Sequence, residues 1–308
     1  MDINLSDFYS RLGTIALILA LGFFLGKLKW ISVATNKQLV NLLLMVFMPA
    51  ALFSAFPSEY SDESLQMFFS GLLGGTVVMF ALLIVAKIIF NKWWYKGEVG
   101  YQSQFAFIFN NATFLGYPIV AHTFGDAGII PYCGFIVAFN VALFSYGVWL
   151  FERKLSWKLV RGTLLNPNII AAFLGMVLFL LNFSMPSAIG EAVDFVGSAT
   201  VPLSLICIGF MLSSANFKKL IRKWRLLITA ALQLTLGPTV TFFLLSWLNF
   251  PQEVVVVCTL IQALPTATSL GLFAAKYGGD EASASELVTV STLMSIVTLP
   301  VMISVLLT

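Results

Sequence analysis

The chain has 308 residues, 59% of them hydrophobic and 10% charged, with a mean hydropathy of +0.94, which leaves too little polar surface to cover a water-soluble globule of this size. It reads as an all-α integral membrane protein. The net charge of +3 is small and sits on one-sided loops, so a nucleic-acid partner has no support.

Apolar runs long enough to cross a hydrocarbon core of about 30 Å predict ten spans, at roughly 9–28, 36–56, 65–90, 102–123, 128–151, 165–183, 187–212, 224–248, 252–276 and 284–307. The first should stay as a span, because Met1-Asp2-Ile3-Asn4 is acidic and lacks the basic region of a cleaved signal peptide. Pro57-Ser58-Glu59, Asn91 to Lys96, Glu152-Arg153-Lys154, Met185-Pro186 and Asn249-Phe250-Pro251 mark boundaries, the narrowest being that around Pro186. Gly71 and Gly75 form a GxxxG pair in span three, a spacing that also serves ordinary close packing.

Charge tests the span count. With the N-terminus outside, inner loops hold Lys27, Lys29, Lys37, Lys87, Lys92, Lys96, Arg153, Lys154, Lys158, Arg161, Lys218, Lys219, Arg222, Lys223, Arg225 and Lys276. Of the 17 basic residues only Arg11 falls outside, and the positive-inside rule makes the basic side cytoplasmic. The expectation is a multi-pass protein of the cell membrane with both termini outside. Five spans per half is an odd number, so the halves 1–154 and 155–308 should be oppositely inserted, an inverted repeat.

The halves also share motifs. Asn110-Asn111-Ala112-Thr113-Phe114-Leu115-Gly116 and Pro265-Thr266-Ala267-Thr268-Ser269-Leu270-Gly271 agree at four of seven positions, 155 residues apart, and each interrupts an apolar segment. Pro49 and Pro202 lie mid-span at an offset of 153, and Gly125-Asp126 and Gly279-Asp280 end spans four and nine at an offset of 154. Polar residues beside Pro or Gly in mid-membrane are tolerated where protein or a watery cavity surrounds them. Spans four and nine are therefore expected to be broken, crossing helices, with Gly116, Pro118, Pro265 and Gly271 at the breaks. Half-helix N-termini would point N–H groups and positive dipole ends at one place, which favours a small anion. Amides and hydroxyls of Asn110, Asn111, Thr113, Gln262, Thr266 and Thr268 could then bond a carboxylate. The sequon-like Asn111-Ala112-Thr113 lies mid-span and reads as part of the break.

Asn111 to Pro118 resembles the fourth-span motif of the auxin efflux carrier family, and Ala263-Leu264-Pro265 its ninth-span break. Leu150-Phe151-Glu152-Arg153 and Asn166-Pro167-Asn168 are similar to further signatures, so the resemblance covers nearly the whole chain. It implies a scaffold of spans one, two, six and seven, a mobile domain of the rest, an elevator-type step and a homodimer in membrane lipid. It also implies that Asn111 contacts the substrate carboxylate, that Pro265 is the ninth-span crossover proline, and that Asn140 lies one position from a site-lining residue of span five. Asn110 stands where plant exporters have proline, and the long central hydrophilic loop of many plant members is missing. A small prokaryotic-type carrier of organic anions such as malate or malonate fits better than an auxin carrier.

Uniport or exchange is the first expectation. No carboxylate lies near mid-membrane for a proton relay: Glu191, Asp194 and His122 come closest and read as interfacial. Sodium coupling through the breaks and a ligand sensor on the same fold remain alternatives. Gly22 to Leu28 fails as a phosphate loop, and Gly278-Gly279-Asp280 lacks a second intramembrane aspartate, so an enzyme is not expected. Cys133, Cys207 and Cys258 have no CxxC spacing, and neither metal nor cofactor is indicated.

Overall fold

The computed structural model describes residues 5–55, 61–90, 98–152, 165–183, 185–213, 223–277 and 279–307. Among these, every regular element is helical, as a lipid-immersed chain requires when each segment must bond its own backbone. In chain order the helices are α1 (Leu5–Lys27), α2 (Val33–Phe53), α3 (Asp62–Ile89), α4 (Glu98–Ile108), α5 (Tyr117–Phe124), α6 (Ala127–Glu152), α7 (Pro167–Leu180), α8 (Ser187–Ser213), α9 (Trp224–Trp247), α10 (Gln252–Gln262), α11 (Ser269–Tyr277) and α12 (Glu281–Leu307). Among the described residues six helices, α2, α3, α6, α8, α9 and α12, are long and apolar enough to cross a membrane, and Gly13–Lys27, α7 and α10 are shorter apolar helices. The boundaries at 57–59, 91–96 and 153–154, and the basic residues Lys92, Lys96, Arg153, Lys154, Lys158, Arg161, Lys218, Lys219 and Arg222, lie outside the described residues.

Helix ends follow local chemistry. Ser32 Oγ accepts from Thr35 N–H at 3.1 Å and Ser61 Oγ from Ser64 N–H at 3.2 Å, capping α2 and α3. Asn166 caps α7, its Oδ1 accepting from Asn168 N–H at 2.9 Å, with Pro167 placed where a missing N–H costs nothing. Ahead of α12, Asp280 accepts from the Ser283 hydroxyl at 2.6 Å and from the Ser283 and Ala282 N–H groups at 3.1 and 3.0 Å. The Ser283 hydroxyl, then its N–H, hold this carboxyl below the ordinary value of 3.8. Its contribution to stability is therefore present above that value and is lost as the pH falls through the lower folded one. At the other ends, Lys29, Asn182 and Asn249 take left-handed φ of 60°, 49° and 56° and stop α1, α7 and α9.

The helices pack in two groups. In one, α1 lies along α8 and α7 along α2; in the other, α3 lies along α6 and α9 along α12. The interrupted pairs belong to the second group, with α4 against α9, α10 against α3 and α6, α5 against α6 and α11 against α12. Phe105 joins α4 to α11 through Phe273 at a ring-centroid distance of 5.3 Å, and Phe109 meets Phe139 of α6 edge-on at 5.8 Å. Outer faces expose Phe80, Phe195, Phe243 and Trp247, a surface suited to lipid. Glu191 and Asp194 are exposed, and both belong to α8.

Glycine sets the closeness of the principal contacts. A Cβ on Gly209 would lie 2.1 Å from the Leu19 carbonyl oxygen, and one on Gly22 would lie 2.2 Å from that of Ile206, so α1 and α8 touch backbone to backbone. The GxxxG pair of span three works the same way inside the chain: a Cβ on Gly71 would lie 2.1 Å from Pro131 O, and Gly75 faces Phe135. Gly209→Val should therefore destabilise the protein by about 1–3 kcal/mol through forced separation of α1 and α8. Gly13→Ala, where an added Cβ meets nothing within 4 Å, should leave the melting temperature in detergent unchanged; equal melting of both variants would contradict the packing account.

Candidate functional site

α4 stops at Ile108, and helical backbone resumes at Ala112 in a π-turn, Ala112–Gly116, that runs into α5. α10 stops at Gln262 and α11 begins at Ser269. Between those ends the two segments run antiparallel and meet at Asn110 and Thr266. Asn111 N–H donates to Pro265 O at 2.6 Å, and Ala267 N–H donates to Phe109 O at 2.9 Å, so each interruption satisfies the other. Pro265, having no N–H, adds an acceptor to the crossing and no donor that needs a partner.

Side chains complete the backbone accounting. Thr266 N–H donates to Ser291 Oγ at 3.1 Å, its hydroxyl donates to Ala106 O at 3.5 Å, Tyr132 OH donates to Ala112 O at 3.0 Å, and Gln233 Nε2 donates to Leu264 O. Asn110 Nδ2 donates to Gln262 Oε1 at 2.7 Å, joining the two segments through a buried amide pair. Asn111 caps the π-turn, its Oδ1 accepting from Phe114 N–H at 3.3 Å.

A cavity of about 690 Å³ opens between the two helix groups and reaches this crossing. Its wall on the second group carries Asn110, Asn111, Thr113, Asn140, Thr268, Ser269, Ser285 and Thr289, and the facing wall carries Asn36, Lys37, Asn166, Asn168, Cys207 and Met211. Apolar lining comes from Phe114, Phe139, Phe144 and Phe273, among others. Three π-helical segments, Leu43–Phe47, Ala112–Gly116 and Leu143–Gly147, each contribute lining residues, the widened turns aiming side chains off the regular helical stripe. Lys37 is the one charged residue in the lining among the described residues. Among the described residues no group of three or more His, Cys, Asp or Glu is placed to hold a metal.

Of the eight residues proposed from sequence to bind substrate, Asn110, Asn111, Thr113, Asn140 and Thr268 line this cavity. Gln262, Pro265 and Thr266 are not among its lining; they lie at the same crossing, where Gln262 Oε1, Pro265 O and both Thr266 polar groups bond protein, while Gln262 Nε2 is buried without a partner among the described residues. Asn140 Nδ2 donates back to Ile136 O at 2.8 Å, which leaves its oxygen for the cavity side. Gly116 closes the π-turn and Pro118 sits in the first turn of α5, both after the helix has resumed, while Gly271 lies in α11 and lines the cavity. The interruption itself covers 109–111 and 263–268. Sequence reasoning passed over Asn36, Ser269, Ser285 and Thr289 as site residues. Lys37 and Asn168 were noticed for loop charge and motif likeness, not for a role in the site. Gln233 and Ser291 carried no local signal, because their partners are backbone groups 31 and 25 residues away.

Ser291→Ala would leave the buried Thr266 N–H without its acceptor and is expected to cost about 1–3 kcal/mol. A lowered melting temperature in detergent checks this, and unchanged melting would mean that the crossing does not depend on that bond.

Residues 151–303 match the family described as membrane transport protein. A Rhizobium meliloti (strain 1021) protein named "Putative malonate transporter" is 22% identical over 236 residues, 73% of this chain and 72% of that protein. An uncharacterized sodium-dependent transporter of Bacillus subtilis (strain 168) is 33% identical over 133 residues, 42% of this chain and 40% of that protein. An uncharacterized transporter of Methanocaldococcus jannaschii is 24% identical over 194 residues, 59% of this chain and 61% of that protein. With these relatives, the all-helical fold and its apolar spans, the chain is a multi-pass membrane transporter, not an enzyme, and its second half is similar to the membrane transport proteins of the auxin efflux carrier family.

Proposed function

We propose that the protein is a secondary carrier for small organic anions, holding the substrate carboxylate where the two interrupted segments cross. The observation that carries this reading is the convergence of two helix starts, at Ala112 and Ser269, with the side chains of Asn110, Asn111, Thr113 and Thr268 around one cavity. Helix N-termini offer N–H groups and positive partial charge, and neutral amides and hydroxyls bond an anion without binding it too tightly to release. The cavity volume of about 690 Å³ falls in the range of small-molecule sites, and among the described residues no carboxylate belongs to its lining. The Rhizobium meliloti relative's name supports a carboxylate such as malonate as the first substrate to try.

Alternating access is best explained by an elevator-type step of the second helix group against the first, since the cavity draws its walls from both. Ten spans arranged as inverted halves, 1–154 and 155–308, account for the packing: exchanging the halves turns α1 with α8 into α7 with α2, and α3 with α6 into α9 with α12. In the positive-inside orientation both termini would face outward, and Lys37 and Asn166, which line the cavity, would lie toward its cytoplasmic side. A homodimer through the first group leaves the second free to move.

Uniport or exchange is the mechanism favoured by a lining that, among the described residues, holds no carboxylate. A second reading, sodium symport, is favoured by the Bacillus subtilis relative's name and by Asn110 Oδ1 and Ser269 Oγ, enclosed oxygens without a hydrogen-bond partner among the described residues. Uptake of labelled malonate into proteoliposomes, with and without a sodium gradient, separates these readings, and a sensor would bind without accumulating label. Asn111→Asp keeps the capping acceptor but sets a negative charge against the anion, and should fold yet abolish saturable uptake. Wild-type uptake by that variant would remove Asn111 from the site. Thr268→Ala should raise the half-saturating concentration several-fold, about 1 kcal/mol for one lost hydrogen bond.

A further inference from the structure

The wall opposite the crossing is polar in its own right. Asn36 on α2 and Asn168 in the first turn of α7 are only 7% and 6% exposed, and both line the cavity. Each has its Oδ1 enclosed without a hydrogen-bond partner among the described residues. An amide oxygen is an acceptor, so each is costly until a donor completes it, and a lysine ammonium or a water is such a donor where a carboxylate is not. Next to Asn36 in sequence stands Lys37, which among the described residues is the one charged residue in the cavity lining and has no carboxylate paired with it; it is exposed. Asn168 adds the N-terminal end of α7, whose partial positive charge has the same sign as the Lys37 ammonium.

We propose that Lys37, supported by Asn36 and Asn168, is a second anion-reading pole that engages the distal carboxylate of a short diacid, so that this carrier selects dianions over monoanions. The proposal rests on the carboxylate-carrier reading above. The crossing supplies only neutral donors and helix ends, which one carboxylate satisfies, and nothing there distinguishes a diacid from its half-ester. Lys37 does, because an ammonium gains a charge-assisted hydrogen bond from a second carboxylate and much less from an ester. The two poles lie on different helix groups, so a diacid spanning them touches both walls of the cavity at once. Lys37 is therefore a specificity-determining residue whose engagement belongs to the state in which the two walls face each other.

The test uses the full chain in proteoliposomes at about pH 8, where both carboxyls of malonate are ionised. Initial rates are measured for labelled malonate and for its monomethyl ester, in wild type, K37Q, K37R, N168A and N111D. Wild type should prefer malonate. K37Q should raise the malonate KM about tenfold with little change in the ester, K37R should recover most of the preference, and N168A should move the ratio in the same direction as K37Q by a smaller factor. Because Lys37 is exposed, K37Q should melt with wild type, and melting is recorded for every variant.

An unchanged malonate-to-ester ratio in K37Q, or an equal fall for both substrates, would overturn the second pole, as would a wild type indifferent between the two. Those results leave the carrier reading standing if N111D still abolishes uptake. No saturable uptake of either compound by wild type, or uptake unaffected by N111D, would instead overturn the carboxylate-carrier reading and this proposal with it.

Discussion

Two reciprocal backbone bonds, Asn111 N–H to Pro265 O and Ala267 N–H to Phe109 O, are the constraint from which the rest of the site follows. An interrupted helix in a low-dielectric interior exposes peptide groups that each cost kilocalories if left unbonded. One interruption could not satisfy itself. Two running antiparallel can, and the single bridge between Asn110 and Thr266 is a minimal piece of sheet serving that purpose. With the inner peptide groups consumed by this exchange, the helix starts at Ala112 and Ser269 are left as the polar features facing the cavity.

That division of labour explains why neighbouring polar residues have different fates. Thr266 and Gln262 are fully or almost fully buried, Thr266 bonding Ser291 and Ala106 and the Gln262 oxygen accepting from Asn110. Asn111 and Thr268 stand beside them in sequence but line the cavity. The buried set holds the crossing in register through bonds to α9 and α12, so the anchoring Gln233 and Ser291 matter for geometry without touching the cavity. The Phe105, Phe109, Phe139 and Phe273 cluster packs around the same point and limits how far the crossing can shift.

The close helix contacts divide along the same line as the groups. Glycines bring α1 against α8 and α3 against α6, within one group each, at separations no side chain would allow. The cavity lies between the groups, and its amides and hydroxyls stand on both sides of that division, with Lys37 on the wall of the first group.

Much of this was legible in the residues alone. Composition required a membrane protein, and the apolar runs at roughly 65–90, 224–248 and 284–307 correspond closely to Asp62–Ile89, Trp224–Trp247 and Glu281–Leu307, because long uninterrupted hydropathy has one solution in lipid. The repeated Asn-Asn-Ala-Thr and Pro-Thr-Ala-Thr clusters located the interruptions, since polar residues beside proline in an apolar run break its periodicity locally. Their exact position was less legible: the helix resumes before Gly116 and Pro118, because a proline in the first turn of a helix is tolerated and breaks nothing. Only the tertiary structure decided which polar groups face the cavity and which face protein, and that α2 and α7 supply its opposite wall. Asn36, Lys37 and Asn168 lie more than 70 or more than 50 residues from the crossing segment at Asn110, and no local pattern encodes a meeting that packing alone creates.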